Sequence, residues 1–456
     1  MPKVIRQSVA APFLLLLTCA ASHAQIPIDT GPKLTPQAAY EQAARPFDIV
    51  RRAPQNWSEV EIAAYTIAVG QAKNSCLASS PKEFAADDLL AYARLCTLGQ
   101  AWEPVELAAY KYIQTQPIPA SSGPAMRSLA SAYDYEVQAA LRLKKPVVAL
   151  RACQAMLSTV PYDDLTSEAV NSAVPYLELS DTVQALALLK QRQPILLAML
   201  RNPPPTLPQG FAVRTLYAEA TALPAMQQFA NQPEAAAAAF AELEQAVPPT
   251  LAPDDTIAIA ESRRRYALLG ARVPRIDTFA WLLDATGKGI PPDLNGNFGQ
   301  ATVLLVFPDW CSQCVSLQPQ FTPAWTRLRQ SESRFFVLLA QDKAPPKPAP
   351  VETQKPSGKA GTGARFPGEK PEIPHNELHL DVKPTPAALL AGSPTFAVPT
   401  KTLADFAAND FPLIVIADHD GIIRVVELGN ETILAEGGQI DQLVDHVLQK
   451  WPATGP

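Results

Sequence analysis

The chain has 456 residues, a formal net charge of −6 and 46 prolines, with 47% hydrophobic and 18% charged residues. This composition excludes a wholly disordered chain, and the length predicts two or three folding units. The acidic balance disfavours nucleic acid as a partner. The long apolar run lies at the extreme N-terminus, so no membrane span is expected in the mature chain.

Residues 1–24 have the pattern of a secretory signal peptide. Lys3 and Arg6 precede an apolar stretch that ends in a small-x-small cleavage site before Gln25. The stretch has about half of the roughly 20 apolar residues that a membrane anchor needs. We therefore expect an exported protein, periplasmic or secreted, in a compartment where cysteines can pair.

Residues 25–270 are predicted to form an α-helical repeat region. Apolar residues recur at helical spacing in an Ala-, Leu-, Gln- and Glu-rich background, without the alternation typical of strands. Predicted helices stop at prolines about 44 residues apart, namely Pro117, Pro161, Pro204 and Pro248. This period predicts an array of helical hairpins, each of which buries its apolar face on the next.

Some predicted second helices carry a small residue, a bulkier residue four positions later and a proline eight positions after that. Two triplets fit this pattern: Ala149, Cys153 and Pro161, and Ala236, Phe240 and Pro248. The region thereby resembles tetratricopeptide repeats, although its period exceeds their usual length of about 34 residues. The resemblance implies a concave surface that binds a protein or peptide. An irregular helical array is the alternative.

Cys76 and Cys96 lie near the end of one predicted helix and within the next. A disulfide across this hairpin is sterically reasonable in an oxidising compartment. Two unpaired buried thiols are the alternative, because free cysteine is among the most buried residue types. Cys153 occupies a bulky-residue position within a helix and is expected in the core.

Residues 271–456 change to alternating strands and helices. Four apolar runs have the composition of buried strands, and a short turn joins the last two into a hairpin. The runs are residues 301–307, 334–339, 412–416 and 422–426. With an amphipathic helix at 438–451, on which His446 is expected at the surface, they predict a small α/β sandwich. Residues 343–374 are rich in Pro, Lys and Gly, which predicts an extended insertion rather than a packed element.

A Trp-Cys-x-x-Cys motif, Trp310 to Cys314, follows the first predicted strand and opens a helix. Pro319 stands five residues after the second cysteine, and Phe411-Pro412 precedes the third strand. In these features residues 271–456 resemble thioredoxins, most closely the exported thiol-disulfide oxidoreductases of the TlpA/ResA type. Pro319 matches the proline that kinks the active-site helix of that family.

This resemblance implies a thioredoxin-like fold that exchanges disulfides with protein clients, with no cofactor and no metal. Cys311 would be the nucleophile, favoured as a thiolate by its place at a helix N-terminus, and Cys314 the resolving cysteine. Pro412 would be the cis-proline, Phe411 would pair with an extended substrate segment, and Trp310 would shield the site. An upstream redox partner would reset the pair, and the helical array could dock the clients.

Some features depart from the thioredoxin pattern or admit another interpretation. Leu305 stands where thioredoxins keep a buried acid, and Asp309 either replaces that acid or is a solvated residue before the helix. A zinc site completed by His375 and His379 is disfavoured by their distance along the chain. The alternative function is a non-catalytic binding or assembly module in which the cysteine pair is a structural disulfide.

Overall fold

The computed structural model describes residues 34–52, 57–115, 123–203, 212–283, 291–295, 298–344, 385–429 and 431–452. The predicted signal peptide, almost all of the insertion predicted at 343–374, and His375 and His379 lie outside these residues. None of the described helices is long and apolar enough to cross a membrane.

The described part of the chain up to Ala267 is built of helices, as predicted. They are α1 (Pro36–Val50), α2 (Glu59–Leu77), α3 (Asp87–Leu98), α4 (Trp102–Thr115), α5 (Pro124–Arg142), α6 (Pro146–Thr159), α7 (Asp164–Ser180), α8 (Thr182–Arg201), α9 (Val213–Phe229), α10 (Pro233–Ala246) and α11 (Pro253–Ala267). From α1 to α10 each helix packs on the next in the chain, α11 packs on α9, and α3, α5 and α7 also pack side by side. The helical content is confirmed, whereas the tetratricopeptide assignment stays a prediction.

Proline both ends and interrupts these helices. The helices α6, α8 and α10 end within two residues of Pro161, Pro203 and Pro248. Four other prolines lie inside helices: Pro46, Pro175, Pro194 and Pro224. An internal proline removes one helical hydrogen bond, so packing against neighbouring helices must offset that loss.

The C-terminal region holds a mixed sheet with short helices. Its strands are β1 (Ala280–Trp281), β2 (Thr302–Pro308), β3 (Arg334–Gln341), β4 (Thr395–Pro399), β5 (Leu413–Ala417) and β6 (Ile423–Leu428). Its helices are α12 (Ser312–Val315), α13 (Gln318–Gln330), α14 (Pro386–Leu389), α15 (Lys401–Asp405), α16 (Glu431–Leu434) and α17 (Gln439–Lys450). The four predicted strands, the last hairpin and the closing helix are confirmed, while β1 and β4 were not anticipated.

The six strands lie in the order β1-β4-β3-β2-β5-β6. The central strand β2 runs parallel to β3 and antiparallel to β5, and β5 pairs antiparallel with β6. Side chains alternate along β2, so Leu305 packs on the face that carries α13 and α17, and Leu304 packs on the opposite face with Phe406. Both faces are therefore covered, as the continuous apolar runs predict.

The helical region and the sheet share a hydrophobic core. The largest buried cluster extends from α5 through α9 to β2, β3 and α17. After α11 the chain pairs with the start of β6, where the Gly270 amide donates to the Ile423 carbonyl at 2.8 Å and the Ile423 amide donates to the Ala271 carbonyl at 2.8 Å. The boundary predicted between residues 270 and 271 thus falls inside a hydrogen-bonded segment.

His446 belongs to this junction, so its expected surface position is wrong. Its ring stacks on Phe229 of α9 with ring centroids 3.9 Å apart, and its Nε2 lies 3.2 Å from the Phe229 carbonyl oxygen. Burial lowers the pKa of His446, although the Phe229 carbonyl opposes that shift. The local sequence around His446 could not indicate this packing, because Phe229 is 217 positions away in the chain.

Candidate active site

The turn after β2 places Cys311 at the end of the central strand. The Asp309 amide donates to the Ala340 carbonyl of β3 at 2.9 Å, and the Cys311 amide donates to the Pro308 carbonyl at 3.1 Å. The chain then enters α12, with Cys311 as its N-terminal capping residue. The first strand and the motif predicted to follow it are therefore joined by a tight, hydrogen-bonded turn.

Cys311 and Cys314 form a disulfide, and they differ in exposure. Cys311 is half-buried, whereas Cys314 is completely buried beneath it. The Cys314 amide also lies 3.3 Å from Cys311 Sγ, which accepts its hydrogen bond. A partner molecule can therefore reach the first sulfur but not the second.

The helix after the motif is interrupted just before Pro319, where the thioredoxin resemblance implies a kink. The helix α12 has four residues, and α13 begins at Gln318 after a break at Ser316 and Leu317. Pro319 lies in the first turn of α13, where its missing N–H costs no hydrogen bond and its ring prevents continuation from the preceding turn.

The loop before β5 lies beside this turn. The Phe411–Pro412 peptide bond is cis. The Phe411 ring meets Trp310 edge to face with centroids 5.4 Å apart, and Trp310 is 70% exposed. On the other side, the Gly429 amide donates to the Pro412 carbonyl at 2.8 Å. The fold thus brings all five residues predicted at this site, residues 310, 311, 314, 411 and 412, into one small region.

Gly429 is one site residue that the sequence did not reveal. A Cβ atom at this position would lie 3.1 Å from Ile414 and 3.2 Å from Pro412 Cγ. At these distances Ile414 or Pro412 would have to shift to admit a Cβ atom. The backbone of Gly429, without a side chain, therefore supports the loop. A single glycine after a strand carries no sequence signal for this role.

A cleft of about 470 Å³ opens beside Trp310. Its walls include Val315 and Pro319 from the active-site helices and Pro386 and Leu389 from α14. Leu389 is 48% exposed, so it adds an apolar surface to this cleft. The Thr385-Pro386 helix start could have indicated α14, but not its place beside the cysteines.

Leu305 stands at the position where thioredoxins keep a buried acidic residue, and it provides no carboxylate. This side chain is wholly buried in β2, between Val337 of β3 and Ile414 of β5. Asp309 is half-buried and lines the cleft beside Trp310. Of these two positions, Asp309 alone offers a carboxylate next to the cysteine pair.

The structure also joins Cys76 and Cys96 in a disulfide, with their Cα atoms 5.2 Å apart. Both residues are completely buried, and the Tyr92 hydroxyl beside them donates to the carbonyls of Cys76 and Ser79 at 3.0 Å. Cys153 is a free thiol in the core, as expected, and burial raises its pKa to about 12. Neither feature can meet a client without unfolding.

No known protein family and no curated protein matches the chain. Among solved structures, it is similar to the thioredoxin domain of a thiol-disulfide oxidoreductase from Bacteroides vulgatus. The match has 12% sequence identity and a TM-score of 0.24, and it covers 40% of this chain and 96% of that chain. A similarity this low does not establish the activity of this chain.

Proposed function

We propose that this chain is an exported thiol-disulfide oxidoreductase that exchanges disulfides with protein clients through Cys311 and Cys314. One observation carries the proposal: a partly exposed cysteine at a strand-to-helix turn is bonded to a fully buried one, beside an exposed tryptophan and a cis-proline loop. A purely structural disulfide does not require that one of its cysteines be accessible to other molecules. The sheet order and the flanking helices support a thioredoxin-like domain.

Exchange would begin at Cys311 in either direction. With the oxidised protein, a client thiolate attacks Cys311 Sγ, a mixed disulfide forms and Cys314 leaves as the thiolate. A second client thiolate then attacks the client sulfur of the mixed disulfide, so the client is oxidised and Cys311 is released reduced. The reverse sequence reduces a client disulfide, and Cys314 resolves the mixed disulfide.

The surrounding residues have corresponding proposed roles. The Cys314 amide, which lies 3.3 Å from Cys311 Sγ, would stabilise a thiolate there by donating a hydrogen bond. The backbone of Phe411 would pair with an extended client segment next to Pro412, and Trp310 would cover one side of it. Asp309 is the candidate proton acceptor for Cys314, since Leu305 cannot take that part.

The remaining parts of the proposal concern the whole chain. Two disulfides within the described residues fit an oxidising compartment, which supports export to the periplasm or outside the cell. The helical region, of tetratricopeptide-like design, would dock clients, and residues 271–456 would act on them. A separate redox partner would restore the cysteine pair after each cycle.

An equilibrium redox titration with mass-spectrometric localisation of alkylated thiols tests the proposal. We expect a reversible two-electron couple at Cys311 and Cys314 between about −270 and −120 mV. A pair that stays oxidised below about −300 mV, like ordinary structural disulfides, would instead favour the non-catalytic binding module.

Variants give a second, independent test. Cys311→Ser should abolish disulfide exchange, and Cys314→Ser should accumulate mixed disulfides with clients because the resolving thiol is missing. Cys153→Ser is the matched control, since that thiol lies in the core away from the site. Exchange that survives in Cys311→Ser would refute the proposed nucleophile.

A further inference from the structure

The loop before Pro412 leaves the core for two residues. Ala408 is buried, Asn409 and Asp410 are exposed, and the chain becomes buried again at Pro412. The Trp310 ring and the Gly429 amide support the part of the loop that contains Phe411 and Pro412. Neither contact involves Asp410, the residue before Phe411.

A residue of the helical region supplies that contact. Arg265, near the end of α11, places its Nη2 atom 3.1 Å from Asp410 Oδ2. The two residues are 145 positions apart in the chain, and the bond crosses from the helical region to the loop. The side chain of Arg265 is 29% exposed and that of Asp410 is 62% exposed, so the Asp410 end of the ion pair faces solvent.

The end of α11 is itself fastened to the sheet. The hydrogen bonds of Gly270 and Ala271 with Ile423, the first residue of β6, follow α11 by a few residues. The main chain that carries Arg265 is therefore held close to the sheet. Because this main chain is held in place, the Arg265 guanidinium is pre-organised to meet Asp410. Less conformational entropy is therefore lost when the ion pair forms.

The environment of Arg265 is poor for stability alone. Its Nε atom is buried and has no hydrogen-bond partner among the described residues. Leaving a buried donor unpaired costs free energy. The partly exposed ion pair with Asp410 offsets little of this cost.

We infer that Arg265 is a positioning residue that holds the loop before Pro412 and so sets how a client segment is received beside Cys311. The inference rests on the proposed function. It also links the two regions of the chain, because a residue of the helical region holds this loop. Arg265 does not touch the sulfurs, so its effect falls on client binding rather than on the exchange step.

Single-turnover exchange tests this role. The reduced full-length protein is mixed with a synthetic peptide that carries one disulfide, which becomes the dithiol as Cys311 and Cys314 are oxidised. We expect Arg265→Ala to raise the half-saturating peptide concentration about two- to fivefold, as befits a partly exposed ion pair, and to change the maximal rate less than about twofold. Arg265→Lys should recover part of the loss.

The charge-reversed pair and a neighbouring arginine serve as controls. Arg265→Asp combined with Asp410→Arg should restore binding beyond either single change, because it rebuilds the ion pair with the charges exchanged. Arg264→Ala, an exposed change on the same helix, should resemble the wild type. Equal half-saturation in Arg265→Ala and wild type, or no recovery in the reversed pair, would overturn the inference.

Hydrogen exchange separates this inference from the proposed function. In Arg265→Ala we expect amides between Asn409 and Leu413 to exchange about two- to fivefold faster than in the wild type. This readout does not depend on turnover. If the wild type fails to react with the peptide, the proposed function is lost, but unchanged amide exchange in Arg265→Ala would still overturn the positioning role.

Discussion

The two disulfides within the described residues have the same chemistry and opposite surroundings. Cys76 and Cys96 are both completely buried between two helices, under the Tyr92 hydroxyl. Cys311 is half-buried at the end of a central strand, beside the exposed Trp310. Whether a disulfide can exchange depends on whether an attacking sulfur can reach it, and that is decided by the fold around the bond.

The largest expected effect is a difference in reactivity towards a mild reductant. In the native protein, we expect dithiothreitol followed by iodoacetamide to label Cys311 at least about 100-fold faster than Cys76 or Cys96, because an attacking thiolate must reach the sulfur. Peptide mass spectrometry after timed quenching measures the rates. Comparable labelling at the two disulfides would remove the contrast on which the proposed function depends.

Removing the helical disulfide should affect stability and leave exchange intact. The bond joins residues that are 20 positions apart, so Cys76→Ala with Cys96→Ala should lower the free energy of unfolding. From the loop-closure entropy of the unfolded chain, we expect a loss of about 3 kcal/mol. Urea unfolding measures it, and peptide-disulfide exchange is the companion assay. Loss of exchange in a folded double variant would mean that the two disulfides are coupled.

A buried acid in the helical region predicts a pH effect on stability. Burial, with the nearby charge of Glu168, raises the pKa of Asp134 to about 7, and its Oδ1 has no partner among the described residues. Because the folded-state pKa is the higher one, the contribution of Asp134 to stability is complete below the unfolded value of about 4 and is lost as the pH rises through about 7.

Asp134→Asn should therefore raise the free energy of unfolding by about 2 kcal/mol at pH 8 and change it little at pH 4. Urea unfolding at both pH values measures the difference, with Glu103→Gln as the control on an exposed acid. A uniform change at both pH values would mean that Asp134 is already ionised without penalty in the folded protein.

The smallest expected effect concerns the glycine under the cis-proline loop. Gly429→Ala places a Cβ atom 3.1 to 3.2 Å from Ile414 and Pro412, so the loop must shift by a few tenths of an ångström. We expect a loss of about 1 kcal/mol in the free energy of unfolding and a severalfold weaker affinity for the peptide disulfide.

Gly70→Ala is the matched control for this change. No atom lies within 4 Å of a Cβ at Gly70, which is inside α2, so alanine should stabilise the helix by about 0.5 to 1 kcal/mol and leave exchange unchanged. Thermal unfolding and the exchange assay together compare the two variants. Identical exchange in both would show that the loop tolerates the added methyl group.

Much of the architecture was readable because it depends on local patterns. The buried strands at β2, β3 and β5 are continuous apolar runs, and the turn before β6 carries Asp418, whose Oδ1 accepts from the amides of Asp420 and Ile422 at 2.9 and 3.0 Å. Gly421 adopts a φ of +76° there, which suits a residue without a Cβ. Such signals act over a few residues and need no knowledge of distant contacts.

Other elements lacked such a signal. The strand β1 has two residues and exists through its pairing with β4, with Ala280 opposite Ala397 and Trp281 opposite Phe396. The packing of His446 on Phe229 and the ion pair of Arg265 with Asp410 join residues more than a hundred positions apart. Neither partner could be chosen from the local sequence, since many other side chains have the same chemistry.

The sequence by itself determined the succession of helices and strands, the place of the Cys311–Cys314 motif at a strand end, and the pair of residues 411 and 412 that meets it. The first two follow from periodicity, from turn-forming residues and from a motif whose members are close in the chain, whereas the meeting of residues 411 and 412 with the motif is what the resemblance to thioredoxins implied. The tertiary structure alone decided that Cys311 is reachable while Cys76, Cys96 and Cys314 are not, and that a helix from the other region touches the loop before Pro412. Exposure and long-range contact are properties of the packed chain, because each depends on what every other segment covers.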